Sequence, residues 1–251
     1  MIFESLFKGG DYLQIEPTTR CNLSCRTCTH KDGVPQIDLS PETLQYILTK
    51  HRHISTIKMQ GLGEPFLHPQ IRELFRIASS RCRRVTTTTN GTCVDLDAVR
   101  HLSEITVSLD TLDPEKACQI KGKSYDLDRV IGTILDLNGI LPTRINFVYS
   151  MHTLNDLQSV TLLANSIGVP LDVVQVENWL APGEPGYEEA HKEILLHRGL
   201  TGPSPRWGER HCPFLHGRHF MYGADGDRRV CCIRMKNDQV ANPDCCKECP
   251  D

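Results

Sequence analysis

The sequence predicts an α/β fold, in which helices cross over between the parallel strands of one sheet. From residue 12 onward, short segments rich in β-branched residues alternate with amphipathic segments of helical period. The chain has 251 residues, of which 39% are hydrophobic, and this is enough to bury one core. No apolar run approaches the roughly 18 residues that cross a bilayer. These observations exclude a disulfide-stapled miniprotein and a membrane-spanning protein.

Six strand–helix units are predicted in series. The strands cover residues 12–16, 55–60, 84–89, 104–110, 144–149 and 171–176. The helices between them cover residues 41–51, 69–80, 96–102, 127–137 and 154–167, and Ser40 caps the first of them. Strands joined by helical crossovers run parallel, so the pattern predicts an open α/β sheet or a partly closed barrel. Six units are two fewer than a full eightfold barrel requires.

The remaining sequence changes in composition. A further helix is predicted over residues 188–197, and residues 199–208 contain two Pro and three Gly, which is typical of a linker. Beyond it the chain is short and rich in cysteine. We therefore divide the chain into a barrel (residues 1–198), a linker (199–211) and a C-terminal domain (212–251).

Charge and compartment limit the choice of partner. The net charge is −3 and the longest basic cluster covers only residues 81–84, so we expect neither a nucleic-acid partner nor a membrane partner, and favour a small-molecule substrate. The first residues carry Glu4 and no long apolar stretch, which predicts a cytoplasmic location. Twelve cysteines in a reducing compartment indicate metal or redox chemistry.

The first cysteine group follows the first predicted strand. Cys21, Cys25 and Cys28 form a C-x3-C-x2-C triplet on one loop. Three thiolates can hold three irons of a 4Fe-4S cluster and leave the fourth iron open for a substrate or cofactor. Structural zinc with His30 as a fourth ligand, and unrelated buried cysteines, are the alternatives at this point.

Polar motifs also follow the later strands. Gly61, Gly63, Glu64 and Pro65 lie in a five-residue loop after the second strand. The third strand ends at Thr89 and Asn90, the fourth at Ser108 and Asp110, and the sixth at Gln175 and Glu177. Because the carboxyl ends of parallel strands share one edge of a sheet, these residues are expected to meet there.

The cysteine triplet together with these motifs resembles the radical S-adenosylmethionine (radical SAM) enzymes over residues 12 to about 180. The resemblance implies a partial (β/α)6 TIM-like barrel with a 4Fe-4S cluster on Cys21, Cys25 and Cys28. It implies that S-adenosylmethionine binds the open iron. It further implies that the cofactor contacts are Gly61, Gly63, Glu64, Pro65, Thr89, Asn90, Ser108, Asp110, Gln175 and Glu177.

A second cysteine group lies in the C-terminal domain. Cys212, Cys231, Cys246 and Cys249 surround a predicted hairpin of residues 220–222 and 229–233 with its loop at 224–227. Their spacing resembles the Twitch (SPASM-like) extensions of radical SAM enzymes, which implies a second 4Fe-4S cluster. A zinc site is the main alternative, since C-x2-C is also half of a zinc knuckle. The neighbours Cys232 and Cys245 leave the choice of ligand open within each pair.

The resemblance extends to short radical SAM dehydrogenases of the 2-deoxy-scyllo-inosamine type. It implies an oxidoreductase that acts on an aminocyclitol or sugar-like alcohol, passes an electron to the auxiliary cluster, and takes its initiating electron from an external reductant such as flavodoxin or ferredoxin. Oxidation of a hydroxyl also needs a base. The candidates are Glu16, His152, Glu177 and His211, with Arg144 as an electrostatic helper.

Three other functions stay open. An epimerase would return a hydrogen atom from a thiol such as Cys118, Cys232 or Cys245. A peptide-modifying enzyme would share both cluster sites. A non-catalytic iron–sulfur electron carrier would not need the Gly63-Glu64-Pro65 loop or an open iron.

Overall fold

A computed structural model describes residues 12–26, 28, 30, 34–150, 152–175 and 219–229. They form one eight-stranded sheet with the order β6-β5-β4-β3-β2-β1-β7-β8. The strands are β1 (Tyr12–Ile15), β2 (Thr56–Met59), β3 (Arg84–Thr89), β4 (Glu104–Ser108), β5 (Thr143–Tyr149), β6 (Leu171–Gln175), β7 (His219–Tyr222) and β8 (Arg228–Arg229). Every neighbouring pair is parallel except the β7–β8 hairpin. The predicted α/β class is therefore confirmed.

Helices connect the parallel strands. They are α1 (Pro41–Lys50), α2 (Ile71–Arg81), α3 (Pro114–Lys121), α4 (Leu127–Asn138) and α5 (Leu157–Ser166), with 3₁₀ turns at Pro65–Leu67, Ala98–His101 and Leu154–Asp156. Side chains cap three of them: Ser40 accepts the Thr43 N–H of α1, Asp113 accepts two N–H groups of α3, and Asp126 accepts one of α4. None of the described helices has the length and apolarity needed to cross a membrane.

The core lies between the sheet and the helices. All four residues of β1 are buried, and β5 alternates buried and half-buried positions along its length. The largest side chains with almost no exposure include Phe75 of α2 and Phe147 of β5. Burial of this face fixes the register of the strands and thereby the positions of the loops at their carboxyl ends.

The predicted elements differ from the structure in a few places. Helix α3 is missing from the prediction, because its only strongly buried apolar residues are Ala117 and Ile120 and its hydrophobic period is weak. Asp113 followed by Pro114 is a start signal that would have identified it. The helix predicted at residues 96–102 is only a 3₁₀ turn, and the one predicted at 154–167 begins as a 3₁₀ turn before α5.

The predicted hairpin joins the sheet as β7, its turn and β8, and residues 230–233 of its predicted second strand lie outside the described part of the chain. Strand β7 pairs in parallel with β1, with Tyr12 opposite His219 and Ile15 opposite Tyr222. The backbone N–H of Glu16 donates to the carbonyl of Tyr222 at 2.9 Å. The turn of the hairpin therefore lies beside the start of the cysteine loop, although 200 residues separate the two in sequence.

Candidate active site

The cysteine loop lies at the carboxyl end of β1. Cys21, Cys25 and Cys28 are half-buried free thiols, and burial raises the pKa of Cys25 to about 11. The Cys28 N–H donates to the Cys25 carbonyl at 3.2 Å, and the His30 N–H lies 3.3 Å from the Cys28 sulfur. The loop is thus compact, and a bound cation would be needed to hold the buried Cys25 thiol as a thiolate.

Helix α3 supports the loop through its backbone. The Ser24 N–H donates to the Lys121 carbonyl at 3.2 Å, and the Arg26 N–H donates to the Ile120 carbonyl at 2.9 Å. These carbonyls lie in the last turn of α3, where no intrahelical donor is available to them. The same contacts satisfy the end of the helix and fix the backbone on both sides of Cys25.

Within the described residues, the cysteine loop presents no ready-made site for a single metal ion. No group of three or more His, Cys, Asp or Glu side chains converges on one ion position within the described residues. A zinc site requires such convergence at about 2.0–2.3 Å, whereas a cubane cluster binds each thiolate through a different iron. The Nε2 atom of His30 is 2.7 Å from the Thr19 carbonyl, so that nitrogen is already engaged.

The loop after β2 packs directly against the start of the cysteine loop. The Glu64 N–H donates to the Arg20 carbonyl at 2.7 Å. A Cβ atom on Gly63 would lie 2.2 Å from the Thr18 carbonyl oxygen, and one on Gly61 would lie 2.3 Å from the side chain of Glu16. Glycine is therefore required at position 63 for the two backbones to approach this closely, and at position 61 it leaves room for the Glu16 side chain.

The Glu64 side chain connects this loop to β3. Its Oε1 atom accepts the Thr89 hydroxyl at 2.7 Å and the Phe66 N–H at 3.2 Å, and its Oε2 atom accepts the Asn90 N–H at 2.7 Å. Only 3% of Glu64 is exposed. Burial raises the pKa of its carboxyl group to about 7, although the three hydrogen bonds oppose the shift.

An amide pair joins β3 to the cysteine loop. The Asn90 side chain donates to the Asn22 side-chain oxygen at 2.9 Å, and the Asn22 amide donates to the Thr92 hydroxyl at 2.8 Å. Asn90 also accepts the Thr92 N–H at 2.9 Å. Neither Asn22 nor Thr92 was predicted from the sequence. Asn22 could have been suggested by its position inside the cysteine motif, because a side-chain amide there can pair with Asn90, which was already a candidate.

Ser108 and Asp110 lie at and just beyond the end of β4, at the same edge of the sheet. Ser108 is half-buried, whereas only 2% of Asp110 is exposed. The Asp110 Oδ1 atom accepts the Val148 N–H of β5 at 2.8 Å, and its Oδ2 atom forms an ion pair with Lys121. Asp110 thus already has partners within the chain on both oxygens, and Lys121 is a further residue that the sequence did not reveal.

Glu16 is buried between two loops. Its Oε1 atom accepts the Leu62 N–H at 2.6 Å, and its Oε2 atom lies 3.4 Å from the Ala224 N–H of the hairpin turn. Burial raises the pKa of Glu16, while both backbone donors oppose the shift. The structure therefore gives this carboxyl group a connecting position between the loop after β2 and the hairpin.

The other two described candidates for the proton-accepting step, His152 and Arg144, lie at opposite edges of the sheet. His152 follows β5 at the carboxyl edge, where burial and the charges of Arg26 and Lys116 lower its pKa. Arg144 lies near the amino end of β5, at the opposite edge, and its Nε atom contacts Asp172 of β6 at 2.7 Å. The structure does not bring Arg144 to the cysteine loop.

Several predicted residues fall outside the described part of the chain. They are Glu177, His211, Cys212, Cys231, Cys246 and Cys249. Gln175 is the last residue of β6 and pairs with Tyr149, which places its backbone at the carboxyl edge. The auxiliary cluster and its ligands thus remain predictions.

Comparison with protein families decides the class of this site. The model of the radical SAM superfamily matches residues 15–162, which is more than half of the chain and includes the cysteine loop and the loop after β2. The chain belongs to the radical SAM superfamily. That family binds S-adenosylmethionine and a 4Fe-4S cluster.

Three curated proteins are similar to part of this chain. A probable GTP 3′,8-cyclase of Methanococcus aeolicus is 32% identical over 180 residues, covering 65% of this chain and 58% of that protein. The GTP 3′,8-cyclase of Chlorobaculum tepidum is 37% identical over 138 residues, covering 49% and 42%. Molybdenum cofactor biosynthesis protein 1 of Bos taurus is 32% identical over 195 residues, covering 69% and 29%.

This chain therefore spans between 29% and 58% of the length of these three relatives. None of the three is named as a dehydrogenase. They support the radical SAM superfamily, and not the aminocyclitol dehydrogenase that the sequence predicts.

Solved structures confirm the radical SAM fold. The crystal structure of Streptococcus suis SuiB bound to S-adenosylmethionine matches with a TM-score of 0.70 at 16% identity, covering 92% of this chain and 62% of that one. Native anSMEcpe with bound AdoMet and a Cp18Cys peptide matches with a TM-score of 0.62 at 18% identity, covering 90% and 74%. At these identities the likeness concerns the fold alone.

Proposed function

We propose that this chain is a radical SAM oxidoreductase that removes hydrogen from a polar small molecule of the aminocyclitol or sugar-alcohol class. The observation that carries the proposal is the joining of three loops at one edge of the sheet. Hydrogen bonds through Glu64, Asn90 and Asn22 connect the cysteine loop, the loop after β2 and the end of β3. Such an arrangement holds a cluster and its cofactor next to each other.

The site residues have two roles: some bind the first cluster and the others bind S-adenosylmethionine. Cys21, Cys25 and Cys28 hold the first cluster. Glu64 accepts the cofactor's amino group, because its Oε2 atom has only the Asn90 N–H as a partner within the described residues and a carboxylate oxygen accepts two donors. The remaining cofactor contacts follow the loops of the later strands: Gly61, Gly63 and Pro65, then Thr89 and Asn90, then Ser108 and Asp110, then Gln175 and Glu177.

Cys21, Cys25 and Cys28 would hold a cluster that, with S-adenosylmethionine, would supply abstraction of a hydrogen atom from the substrate, and Cys212, Cys231, Cys246 and Cys249 would hold a second cluster that would supply an acceptor for the remaining electron. The chain itself must then take the hydroxyl proton. Of the described candidates His152 suits this role best, because it lies at the carboxyl edge and burial lowers its pKa, which favours the neutral imidazole that accepts a proton. Both oxygens of Glu16 already face backbone donors.

A GTP cyclase is the second candidate, because the curated relatives are named for that activity. A triphosphate substrate requires several free cationic side chains. Three cations of the described carboxyl edge are instead paired: Arg20 with Asp38, Lys116 with Asp156 and Lys121 with Asp110. Arg26 of the cysteine loop, by contrast, forms no ion pair with a described residue, so the product analysis below decides between the two candidates.

The test is a product analysis of the full chain after anaerobic reconstitution. Dithionite replaces the natural reductant. The substrates are an aminocyclitol panel and, separately, GTP, and both assays are run in deuterated water. We expect 5′-deoxyadenosine, and a product two hydrogens lighter than the aminocyclitol that supplied the hydrogen. In the double variant Cys212→Ala with Cys231→Ala, cleavage of the cofactor should continue while the oxidised product is lost.

Two results would contradict the proposal. Conversion of GTP, with no change in the aminocyclitols, would assign the chain to the activity of its curated relatives. A product of unchanged composition that gains one deuterium, and that requires Cys118, Cys232 or Cys245, would identify an epimerase.

A further inference from the structure

Glu16 lies between two segments that are far apart in the sequence. It follows β1 directly, and only 5% of the residue is exposed. Its Oε1 atom accepts the Leu62 N–H at 2.6 Å, and its Oε2 atom accepts the Ala224 N–H at 3.4 Å. One carboxyl group thus contacts both the loop after β2 and the turn of the β7–β8 hairpin.

On the side of the loop after β2, the contact is close and leads towards Glu64. A Cβ atom on Gly61 would lie 2.3 Å from the Glu16 side chain, so the backbone of the loop rests directly on the carboxyl group. Two residues after Leu62, the Glu64 N–H donates to the Arg20 carbonyl at 2.7 Å. The position of Glu64, which we propose accepts the cofactor's amino group, therefore depends on the segment that follows β1.

The hairpin turn is held from two sides. The Glu16 N–H donates to the Tyr222 carbonyl at 2.9 Å, so the turn begins beside β1. The turn is closed by a hydrogen bond of 2.9 Å from the Gly226 N–H to the Gly223 carbonyl. Gly226 has a φ angle of +82°, and a Cβ atom there would lie 2.6 Å from the Thr43 side chain of α1. The turn is therefore a fixed partner for the carboxyl group.

We infer that Glu16 is a positioning residue, through which the hairpin turn holds the loop after β2, and with it Glu64, in the conformation that binds S-adenosylmethionine. The inference rests on the proposed function, in which this loop binds the cofactor. Coupling between two sites is reciprocal, so binding of the cofactor must in turn stabilise the contact between Glu16 and the hairpin turn.

The experiment measures the affinity for S-adenosylmethionine by equilibrium dialysis of the anaerobically reconstituted full chain. Glu16→Gln keeps the length of the side chain but replaces one acceptor oxygen by an NH2 group. Ala224→Pro removes the N–H at the second position of the turn, where proline is favoured. We expect each variant to keep its iron and to bind the cofactor about fivefold more weakly.

The double variant separates coupling from general destabilisation. If Glu16 acts through the hairpin turn, Glu16→Gln combined with Ala224→Pro should lower the affinity no further than either change alone. Two independent structural effects would instead multiply, to about 25-fold. That result would overturn the inference.

Two control variants test whether the hydrogen bond itself is responsible. Ala224→Gly removes the methyl group and keeps the N–H. Glu104→Gln removes a half-buried carboxylate at the amino end of β4, where it pairs with Arg84 at 3.1 Å. Both controls should bind the cofactor as the wild type does. A loss of affinity in either one would show that the hydrogen bond is not the cause, and would overturn the inference.

A measurement on the wild type covers the case in which the variants do not fold. Addition of S-adenosylmethionine to the reconstituted chain should slow hydrogen exchange of the Ala224 amide by about the same fivefold factor, because the coupling is reciprocal. Unchanged exchange, with the cofactor bound, would overturn the inference alone. A wild-type chain that holds iron but binds no S-adenosylmethionine would overturn the proposed function as well.

Discussion

The carboxyl group of Glu64 is buried with three donors from the loop after β2 and the end of β3. Desolvation nevertheless outweighs these hydrogen bonds, so the pKa of the group is about 7 in the folded chain and not near its ordinary value of 4.5. With a pKa this close to neutral pH, the carboxyl group needs little free energy to ionise beside a cationic ligand. The same side chain therefore serves the fold and, as we propose, the cofactor.

The raised pKa of Glu64 predicts a pH dependence of stability. The folded chain keeps a proton that the unfolded chain loses between about pH 4.5 and pH 7, so stability falls as pH rises through this range. The expected loss due to Glu64 is on the order of 3 kcal/mol. Urea unfolding of the cluster-free protein at pH 5 and pH 8 measures it.

Glu64→Gln provides the comparison, because this variant cannot titrate at position 64. The free energy of unfolding changes with pH in both proteins, and the difference between the two changes isolates Glu64 from the other groups that titrate. Equal slopes would show that the folded chain already ionises Glu64 at pH 5.

At the scale of elements, the strands could be predicted closely from sequence. Residues 84–89 were predicted as a strand and form β3 with those limits, because a run of β-branched residues ends at Asn90 and Gly91. Helix α3 could not be predicted from hydrophobic period, and with it the support of the cysteine loop was missed. Contacts such as Lys121 with Asp110, or Asn22 with Asn90, depend on how loops meet in space, and no local pattern encodes that.

The loop after β2 depends on the size of Gly63. Gly63→Ala would place a Cβ atom 2.2 Å from the Thr18 carbonyl oxygen, so the loop must move away from the cysteine loop. We expect the affinity for S-adenosylmethionine to fall at least tenfold, measured by equilibrium dialysis of the reconstituted protein. Gly132→Ala is the matched control: it lies inside α4, where the new Cβ has no described atom within 4 Å beyond the helix's own neighbouring backbone, and it should raise stability by up to about 1 kcal/mol. Normal affinity in Gly63→Ala would show that close contact of the two loops is not needed.

At the scale of the whole molecule, the sheet order explains why distant segments meet. The six parallel strands place their carboxyl ends along one edge, and β7 adds the hairpin turn beside β1 at the same edge. The order of the first six strands follows the order of the strand–helix units along the chain and could be predicted. The pairing of β7 with β1 could not, since it joins segments 200 residues apart and neither strand's sequence specifies the other.

The most direct test of the account is to measure iron and 5′-deoxyadenosine in the same anaerobically reconstituted sample. We expect about eight irons per chain, no zinc, and 5′-deoxyadenosine after addition of S-adenosylmethionine and dithionite. Replacing Cys21, Cys25 and Cys28 together by Ala should halve the iron and abolish 5′-deoxyadenosine. One zinc beside four irons would refute the auxiliary cluster. Formation of 5′-deoxyadenosine by the triple variant would contradict the central claim, that these three cysteines hold the cluster at which the cofactor is cleaved.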